Sequence, residues 1–253
     1  MIMRYKLIGC EILFRETCLC AARSNNIIDL EFMAKGLHDV GEKIMSETLQ
    51  KAIDNVDTEK YSAILLCYGL CNYGVKGLRA QIPMVIPKAH DCITLFLGSK
   101  EKYAEYFQEN PGTYFHTAGW LERSSFGIEG EENVMSQLGI QLGADYSDFV
   151  EEYGEDNAEY LMEILGNWTK NYKKQTYIDT GVGDSATYAA LSEADSKSRG
   201  LGYESIRGDI KLIQELMDGD MDSWNKADFL VIPPGSEIVA SHDEEVMTCG
   251  SSC

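Results

Sequence analysis

The stretch Ala63-Ile64-Leu65-Leu66-Cys67-Tyr68-Gly69-Leu70-Cys71 decides the fold that we expect for this chain. Its first four residues form a short apolar run, which is typical of a buried strand in a parallel sheet. The run passes at once into a turn that contains a glycine and two cysteines. In open α/β sheets, reactive groups collect at the carboxyl ends of the strands. The stretch therefore predicts a strand whose end carries chemistry.

Four other short apolar runs also end in a cysteine or a turn. They are residues 6–9 before Cys10, residues 83–87 before His90-Asp91-Cys92, residues 177–178 before Asp179-Thr180-Gly181, and residues 229–232 before Pro233-Pro234-Gly235. If these runs are neighbouring parallel strands, their carboxyl ends meet at one edge of the sheet. We therefore expect the thiols of Cys10, Cys71 and Cys92 to converge.

The composition excludes several classes of function. The chain has 253 residues, 44% of them hydrophobic and 25% charged, which suffices for one large α/β domain or two small lobes. Its net charge is −19, so we expect no binding to nucleic acid or to an anionic membrane. The sequence has no apolar stretch of membrane-spanning length and no signal-peptide pattern at its N-terminus, which predicts a cytoplasmic protein.

The eight cysteines are interpreted as metal ligands, redox groups or buried residues, because disulfides are rare in a reducing compartment. Thiolates suit zinc, copper(I) and iron–sulfur clusters. Cys10, Cys71 and Cys92 could hold a [4Fe–4S] cluster with one open iron, or a zinc ion with His90 or water as the fourth ligand. Cys67 and His116 are further candidate ligands. The alternative is that three buried thiols lie beside a pocket for an organic ligand.

The remaining cysteines point less clearly to chemistry. Cys67 follows the apolar run directly and is expected in the core, whereas Cys71, in the glycine-rich part of the turn, is the better candidate ligand. Cys18 and Cys20 are interpreted as small buried residues of a helix. Cys249 and Cys253 lie on a tail that could reach the site, exchange disulfides or capture metal, but we interpret them as incidental.

The order of the predicted elements indicates an α/β fold with parallel sheets. We expect two Rossmann-like lobes around a central cleft, with a helical segment in the middle. The predicted divisions are an α/β lobe with the cysteine site (1–125), a helical segment (126–170), a second α/β lobe (171–240) and a flexible cysteine-containing tail (241–253). Residues 30–39 are interpreted as a turn-rich linker. Four residues are expected to shape the pocket, namely Gly69, Gly74, Asp179 and Gly181.

Seven sequence motifs resemble those of a prokaryotic family, the domain-of-unknown-function family 1638. They are G-C-E (9–11), L-H-D (37–39), C-Y-G-L-C-N-Y-G (67–74), H-D-C-I-T-L-F-L-G-S (90–99), P-G-T-Y-F-H-T-A-G-W (111–120), Y-I-D-T-G (177–181) and F-L-V-I-P-P-G (229–235). The resemblance implies cysteines at the positions of Cys10, Cys71 and Cys92. At His116 and Ala118, the family more often has leucine and proline, which counts against His116 as a ligand.

The resemblance implies no mechanism, because the family has no established activity. It does imply an association, since members are often encoded beside corrinoid-dependent methyltransferases and the iron–sulfur proteins that reactivate corrinoids. We therefore expect an iron–sulfur or metal-binding accessory protein with a redox or maturation role in corrinoid-dependent methyl transfer. Its expected partners are a corrinoid protein or a methyltransferase. Two alternatives stay open: a zinc enzyme for methyl transfer or hydrolysis, and a non-catalytic acidic module that docks a methyltransferase.

Overall fold

The protein is described here from a computed structural model. The structure describes residues 2–38, 41–71, 73–123, 172–241 and 245–250. The predicted helical segment 126–170 lies outside the described residues, and so does Cys253.

The described strands fall into three sheets. The strands are β1 (Arg4–Cys10), β2 (Ile27–Met33), β3 (Ala63–Cys67), β4 (Met84–Pro87), β5 (Thr113–His116), β6 (Lys174–Asp179), β7 (Gly202–Arg207), β8 (Phe229–Ile232), β9 (Glu237–Ala240) and β10 (Met247–Gly250). The largest sheet has the order β2-β1-β3-β4-β8, in which the first four strands are parallel and β8 is antiparallel to β4. A second sheet is parallel throughout, with the order β5-β6-β7. Strands β9 and β10 form an antiparallel pair.

The described helices are connected to these strands by short loops. They are α1 (Phe14–Arg23), α2 (Glu42–Asp54), α3 (Cys92–Leu97), α4 (Lys100–Glu109), α5 (Ala118–Glu122), α6 (Ser185–Ser198) and α7 (Lys211–Asp218), with 3-10 turns at Glu11–Leu13 and Lys35–His38. Several begin at a side chain that accepts a hydrogen bond from the first turn, as Ser99 does for α4 and Asp184 for α6. The predicted α/β class is therefore confirmed, with parallel sheets and several helices.

The large sheet is buried on both faces. All five residues of β3 are buried, and its neighbouring residues Leu65 and Leu66 belong to two different apolar clusters. Leu65 packs in a cluster that includes Leu216 of α7, whereas Leu66 packs in one that includes Leu49 of α2. A strand covered on both faces needs apolar residues at consecutive positions, which explains the continuous apolar run of β3.

The two larger sheets each draw strands from both of the predicted lobes. Strand β5 precedes residue 125 but pairs with β6, and β8 follows residue 171 but pairs with β4. Elements that follow strands of these two sheets also lie in close contact. Gly119 on α5 approaches the 3-10 turn so nearly that a Cβ atom there would lie 1.8 Å from the carbonyl oxygen of Ile12. The division of the chain into two lobes stays a prediction.

Three sequence-based expectations about the strands are wrong. Residues 30–33 belong to strand β2 and not to a linker. The run 177–178 lies in the second sheet and β8 is antiparallel, so these two runs do not extend the parallel edge formed by β1, β3 and β4. The tail is ordered in part, because β10 pairs with β9 and Met247 is fully buried.

Candidate functional site

Three cysteines lie at the carboxyl edge of the large sheet, at or after the ends of three adjacent parallel strands. Cys10 is the last residue of β1, Cys71 follows the end of β3, and Cys92 begins α3 directly after the loop that follows β4. All three line one cavity of about 520 Å³. We call these three residues the thiol edge. The structure thus brings together the cysteines that strand order predicts, whereas their role as ligands stays a prediction.

The loops that carry Cys71 and Cys92 are held together by backbone contacts. Leu70 N–H donates to the carbonyl oxygen of Ala89 at 2.8 Å, and Cys71 N–H donates to that of His90 at 3.1 Å. Gly69 packs directly on the second loop, because a Cβ atom at this position would lie 2.7 Å from the Cα atom of Asp91. A glycine is therefore required for the two loops to approach, as expected for a residue that shapes the pocket.

The backbone around Cys71 is strained. Cys71 has a φ angle of 42° and Tyr73 has one of 64°, both in the left-handed region that residues other than glycine rarely adopt. Between them and α2, Gly74 packs against Met45, and a Cβ atom there would lie 2.2 Å from the Met45 sulfur. Met45 in turn lines the cavity. Such strain persists only where surrounding contacts enforce it, and it is common at functional sites.

The thiols of Cys71 and Cys92 are protonated at neutral pH. Burial raises the pKa of Cys71 to about 12, with negative charge on Asp91 and on Cys10 as further causes, while the backbone N–H groups of Gly69 and Cys92 act in the opposite direction. Burial also raises the pKa of Cys92 well above its usual value, with Cys71 as the next largest cause.

Cys67 also lines the cavity but is a core residue. Its side chain is fully buried, and its sulfur lies 3.9 Å from the hydroxyl oxygen of Thr17 on α1. Burial raises the pKa of Cys67 to about 12. The sequence-based interpretation of Cys67 as part of the core agrees with this burial.

The cavity is lined by residues from two of the sheets, several of them aromatic. The floor of the cavity consists of residues from the large sheet and its loops. Its roof comes from β5, from α5 and from Tyr172, which lies two residues before β6. The roof residues are Gly112, Thr113, Tyr114, Phe115, Thr117, Trp120 and Tyr172, with Phe107 of α4 beside them. Lys35 stands at the wall with its ammonium group 4.0 Å from the centre of the Trp120 ring. A volume of this size suits a small organic molecule.

Two functional candidates at the cavity were missed by sequence reasoning. Asp91 caps α3 by accepting from Ile93 N–H at 2.9 Å, and its other oxygen accepts from the Tyr103 hydroxyl at 2.9 Å. Tyr68 lines the cavity with only 3% of its surface exposed, and its hydroxyl oxygen has no hydrogen-bond partner within the described part of the chain. The position of Tyr68 between two cysteines at a strand end is the sequence feature that could have identified it.

Other candidates from the sequence lie away from the cavity lining. His90 is exposed, and its ring stacks on Tyr103 with 6.0 Å between centroids. Asp179 accepts from Gly181 N–H at 2.8 Å, so these two residues form a local turn after β6. Cys249 is exposed on β10. The structure therefore does not bring these residues to the cavity.

His116 belongs to a separate buried cluster under the second sheet. Its Nδ1 atom lies 3.1 Å from the Ser192 hydroxyl and 3.1 Å from the Gln175 amide nitrogen, and its Nε2 atom lies 3.9 Å from Asp195. Asp195 also accepts from Arg199 at 2.9 Å. We call these five residues the histidine cluster. Burial lowers the pKa of His116 to about 4, so the ring is neutral at physiological pH.

Two features are absent from the described ranges. In these ranges, no three side chains of His, Cys, Asp or Glu are grouped so that they could hold a metal ion. None of the described helices combines the length and the apolar character needed to cross a membrane.

Comparison with known proteins identifies one family. No curated protein and no solved structure matches the chain. The sequence model of one family matches residues 32–217, which include Cys71 and Cys92 but neither Cys10 nor the motif at 229–235. The match is thus shorter than the resemblance suggested, yet it covers well over half of the 253 residues. The chain therefore belongs to the family described as proteins of unknown function, DUF1638.

Proposed function

We propose that this protein binds an iron–sulfur cluster through Cys10, Cys71 and Cys92. The observation that carries the proposal is that these three side chains, from three adjacent strand ends, line one cavity. In a [4Fe–4S] cluster each thiolate binds a different iron, so the sulfurs need not surround a single ion. Three protein ligands would leave one iron without a ligand from the protein.

The donor chemistry of the thiol edge suits iron. Thiolates are soft ligands, and the buried thiols of Cys71 and Cys92 release their protons when a metal takes their place. The backbone N–H groups of Gly69 and Cys92 lower the pKa of Cys71, so they already favour its deprotonated sulfur. The protein thus supplies hydrogen-bond donors to a thiolate inside an otherwise apolar floor.

The cavity beside the thiol edge gives the cluster a second role. When bound, such a cluster supplies one electron or an open coordination position for a small ligand. Residues of the roof, from Tyr114 to Trp120, would shield that position from water and would contact a ligand bound there. Within this proposal, the cavity is the cleft between two Rossmann-like lobes.

The proposed setting is corrinoid-dependent methyl transfer, in which the protein serves as a redox or maturation accessory. This part rests on the family resemblance and on the association that it implies. A corrinoid protein or a methyltransferase is the proposed partner, and the net charge of −19 favours a partner with a basic docking face.

Metal analysis of protein purified without oxygen tests the proposal. We expect a brown protein with a broad visible absorption band and about four iron and four sulfide per chain. One zinc ion per chain in a colourless protein would instead support the zinc enzyme. A chain without metal, even after anaerobic reconstitution with iron and sulfide, would contradict both and leave the docking module.

A pair of cysteine variants tests the ligand assignment. Cys71→Ala removes a sulfur from the thiol edge, whereas Cys18→Ala removes one from α1, away from the cavity lining. We expect Cys71→Ala to lose the cluster and Cys18→Ala to keep it at the wild-type iron content. Equal loss of iron from the two variants would contradict the assignment.

A further inference from the structure

The roof of the cavity is built from aromatic side chains that the protein covers only in part. Tyr114, Phe115, Trp120 and Tyr172 line the cavity and are half-buried, and Phe107 beside them is 48% exposed. Removing the apolar surface of such rings from water is favourable. The roof therefore offers apolar surface that a bound molecule would cover.

The charged side chains of the lining already have contacts within the protein. Among the described residues of the lining, these side chains are Lys35 and Asp91. The Lys35 ammonium group lies 4.0 Å from the centre of the Trp120 ring, and the Asp91 carboxylate accepts from Ile93 N–H and from the Tyr103 hydroxyl. The two charges have opposite signs, so together they select neither an anion nor a cation. Since a charged ligand would also lose its hydration on entry, the cavity favours an uncharged one.

Water is held weakly in a cavity of this kind. A buried water molecule needs about two to four polar partners. Much of the lining is apolar, as at Leu13 and Phe96, and the Thr113 hydroxyl already donates to the carbonyl oxygen of Asn110 at 2.8 Å. An apolar group that displaces poorly ordered water gains affinity. The cavity therefore favours an apolar ligand over a filling of water.

The contacts between the roof residues favour an aromatic ligand over an aliphatic one. Aromatic rings prefer offset or edge-to-face contacts with other rings, which add to the free energy of burial. Tyr114 and Tyr172 already form an edge-to-face pair with 5.3 Å between their centroids. A flat ring system in the cavity would extend this arrangement, whereas an aliphatic molecule would fill the volume without ring contacts.

We propose that the cavity binds a small, uncharged, fused-ring aromatic molecule against its aromatic roof. A volume of about 520 Å³ has room for such a molecule. The inference goes beyond the proposed function, because it requires neither a metal nor any thiolate ligand. It assigns the roof residues, Phe115 among them, as the contacts that determine ligand specificity.

Three matched probes test the ligand class by calorimetric titration of the full chain, freed of metal with a chelator. The uncharged aromatic probe is 2-naphthol. Naphthoate carries the same rings with a charge, and decahydronaphthol has the same carbon skeleton without aromatic rings. We expect naphthol to bind about 10-fold more tightly than either of the other two, because desolvation of the carboxylate and loss of ring contacts both reduce affinity.

A pair of variants tests the ring contacts. Phe115 lines the roof, whereas Phe14 on α1 is 39% exposed and lies outside the described lining. We expect Phe115→Leu to weaken naphthol binding about 3–10-fold and to leave decahydronaphthol binding unchanged, because only naphthol has a ring face to lose. Phe14→Leu should bind both probes like the wild type. An equal loss for both probes in Phe115→Leu would overturn the ring contacts, and with them the choice of an aromatic ligand.

Thiol protection locates the bound probe without any substitution. Cys10 lines the cavity, whereas Cys18 lies on α1 outside the described lining, and both are half-buried. At a naphthol concentration about 10 times its dissociation constant, we expect iodoacetamide to modify Cys10 about 10-fold more slowly, because only the unoccupied cavity reacts. The rate at Cys18 should not change. Peptide mass spectrometry over time measures both rates.

The outcomes separate this inference from the proposed function. Absence of naphthol binding, tighter binding of either matched probe, or naphthol binding that leaves the Cys10 rate unchanged would each overturn the inference. The iron content of the chain purified without oxygen decides the proposed function independently, because the probes are tested after metal removal. A chain that never takes up iron but binds naphthol at the cavity would thus contradict the cluster and support the aromatic ligand.

Discussion

The thiol edge and the histidine cluster both hold polar atoms inside the protein, but only the thiol edge adjoins a cavity. In the histidine cluster, Gln175 donates to the Ser192 carbonyl oxygen at 2.6 Å and Arg199 donates to Asp195 at 2.9 Å. One side-chain oxygen of Gln175 and one of Asp195 are buried without a partner in the described part of the chain. The thiol edge lines a cavity of about 520 Å³. Buried polar atoms, even unpaired ones, therefore do not by themselves indicate a binding site, which also needs room for a ligand.

The first prediction tests whether the histidine cluster is closed to water, through the pH dependence of the protein's stability. Because the pKa of His116 falls from 6.5 to about 4 on folding, the unfolded chain binds more protons between these values. Its contribution to stability is fully present above pH 6.5 and is lost as the pH falls through 4. Between pH 7 and pH 4, we expect His116 to account for about 3 kcal/mol of the fall in unfolding free energy.

Denaturant unfolding at several pH values measures how much of the fall in unfolding free energy comes from His116. In His116→Gln, the fall in unfolding free energy between pH 7 and pH 4 should be smaller than in the wild type by that amount. An unchanged fall would mean that His116 is accessible to water, and the contrast between the two regions would fail.

The second prediction concerns the reactivity of the thiol edge in the metal-free protein. With a pKa of about 12, Cys71 is almost entirely protonated at pH 8. We expect iodoacetamide to modify it roughly 100-fold more slowly than in the unfolded chain, because the lower thiolate fraction outweighs the higher nucleophilicity. Peptide mass spectrometry over time measures the rate, with the exposed Cys249 as the early-reacting control. Equal rates at Cys71 and Cys249 would show that the edge is not buried as described.

The third prediction concerns the close contact between the two loops that carry Cys71 and Cys92. In Gly69→Ala, the new Cβ atom would lie 2.7 Å from Asp91 Cα, so one loop must move. We expect a loss of about 1–3 kcal/mol in unfolding free energy and a lower iron content. Gly202→Ala is the control, because the nearest atom to its new Cβ lies 3.5 Å away and we expect a change within about 0.5 kcal/mol. Normal stability and iron content in Gly69→Ala would contradict the close approach.

The smallest effect compares a satisfied hydroxyl with an unsatisfied one in the metal-free protein. Tyr5→Phe removes the hydrogen bond to Gly219, which should cost about 1 kcal/mol of unfolding free energy. Tyr68→Phe removes a hydroxyl without a described partner, so stability should stay the same or rise slightly. Thermal unfolding measures both. An equal loss in the two variants would mean that Tyr68 has a partner inside the protein.

Much of the site could be predicted from sequence because it depends on local patterns. The apolar runs before Cys10, Cys71 and Cys92 identify buried strands, and parallel strands place their carboxyl ends together without further information. The cavity roof could not be predicted, since nothing in the run Thr113–His116 reveals that it pairs with β6 and not with the large sheet. Tyr68 was missed because an unpaired hydroxyl is a property of its surroundings.

The errors in strand assignment have different physical causes. Strand β2 lacks an apolar run because it is an edge strand with charged positions, where Asp29 pairs with Arg4 at 2.8 Å and Glu31 pairs with Lys6 at 2.7 Å. Because charged residues occupy these positions, β2 lacks the continuous apolar run that indicates a buried strand. The run in β8 indicates burial, but four apolar residues carry no information about direction. Val246, which directly precedes β10, and Met247, its first residue, are buried. The polar residues around them in the sequence give no sign of a strand.

The roof and the floor of the cavity belong to different sheets. A molecule held in it touches both and therefore acts as a bridge, whose binding free energy is added to the work needed to pull the sheets apart. At a concentration 100 times its dissociation constant, such a molecule raises the unfolding free energy by about 2.7 kcal/mol. Melting temperature thus becomes a screen for the molecule that this protein captures, and it responds to any compound that bridges the sheets, whatever its chemical class.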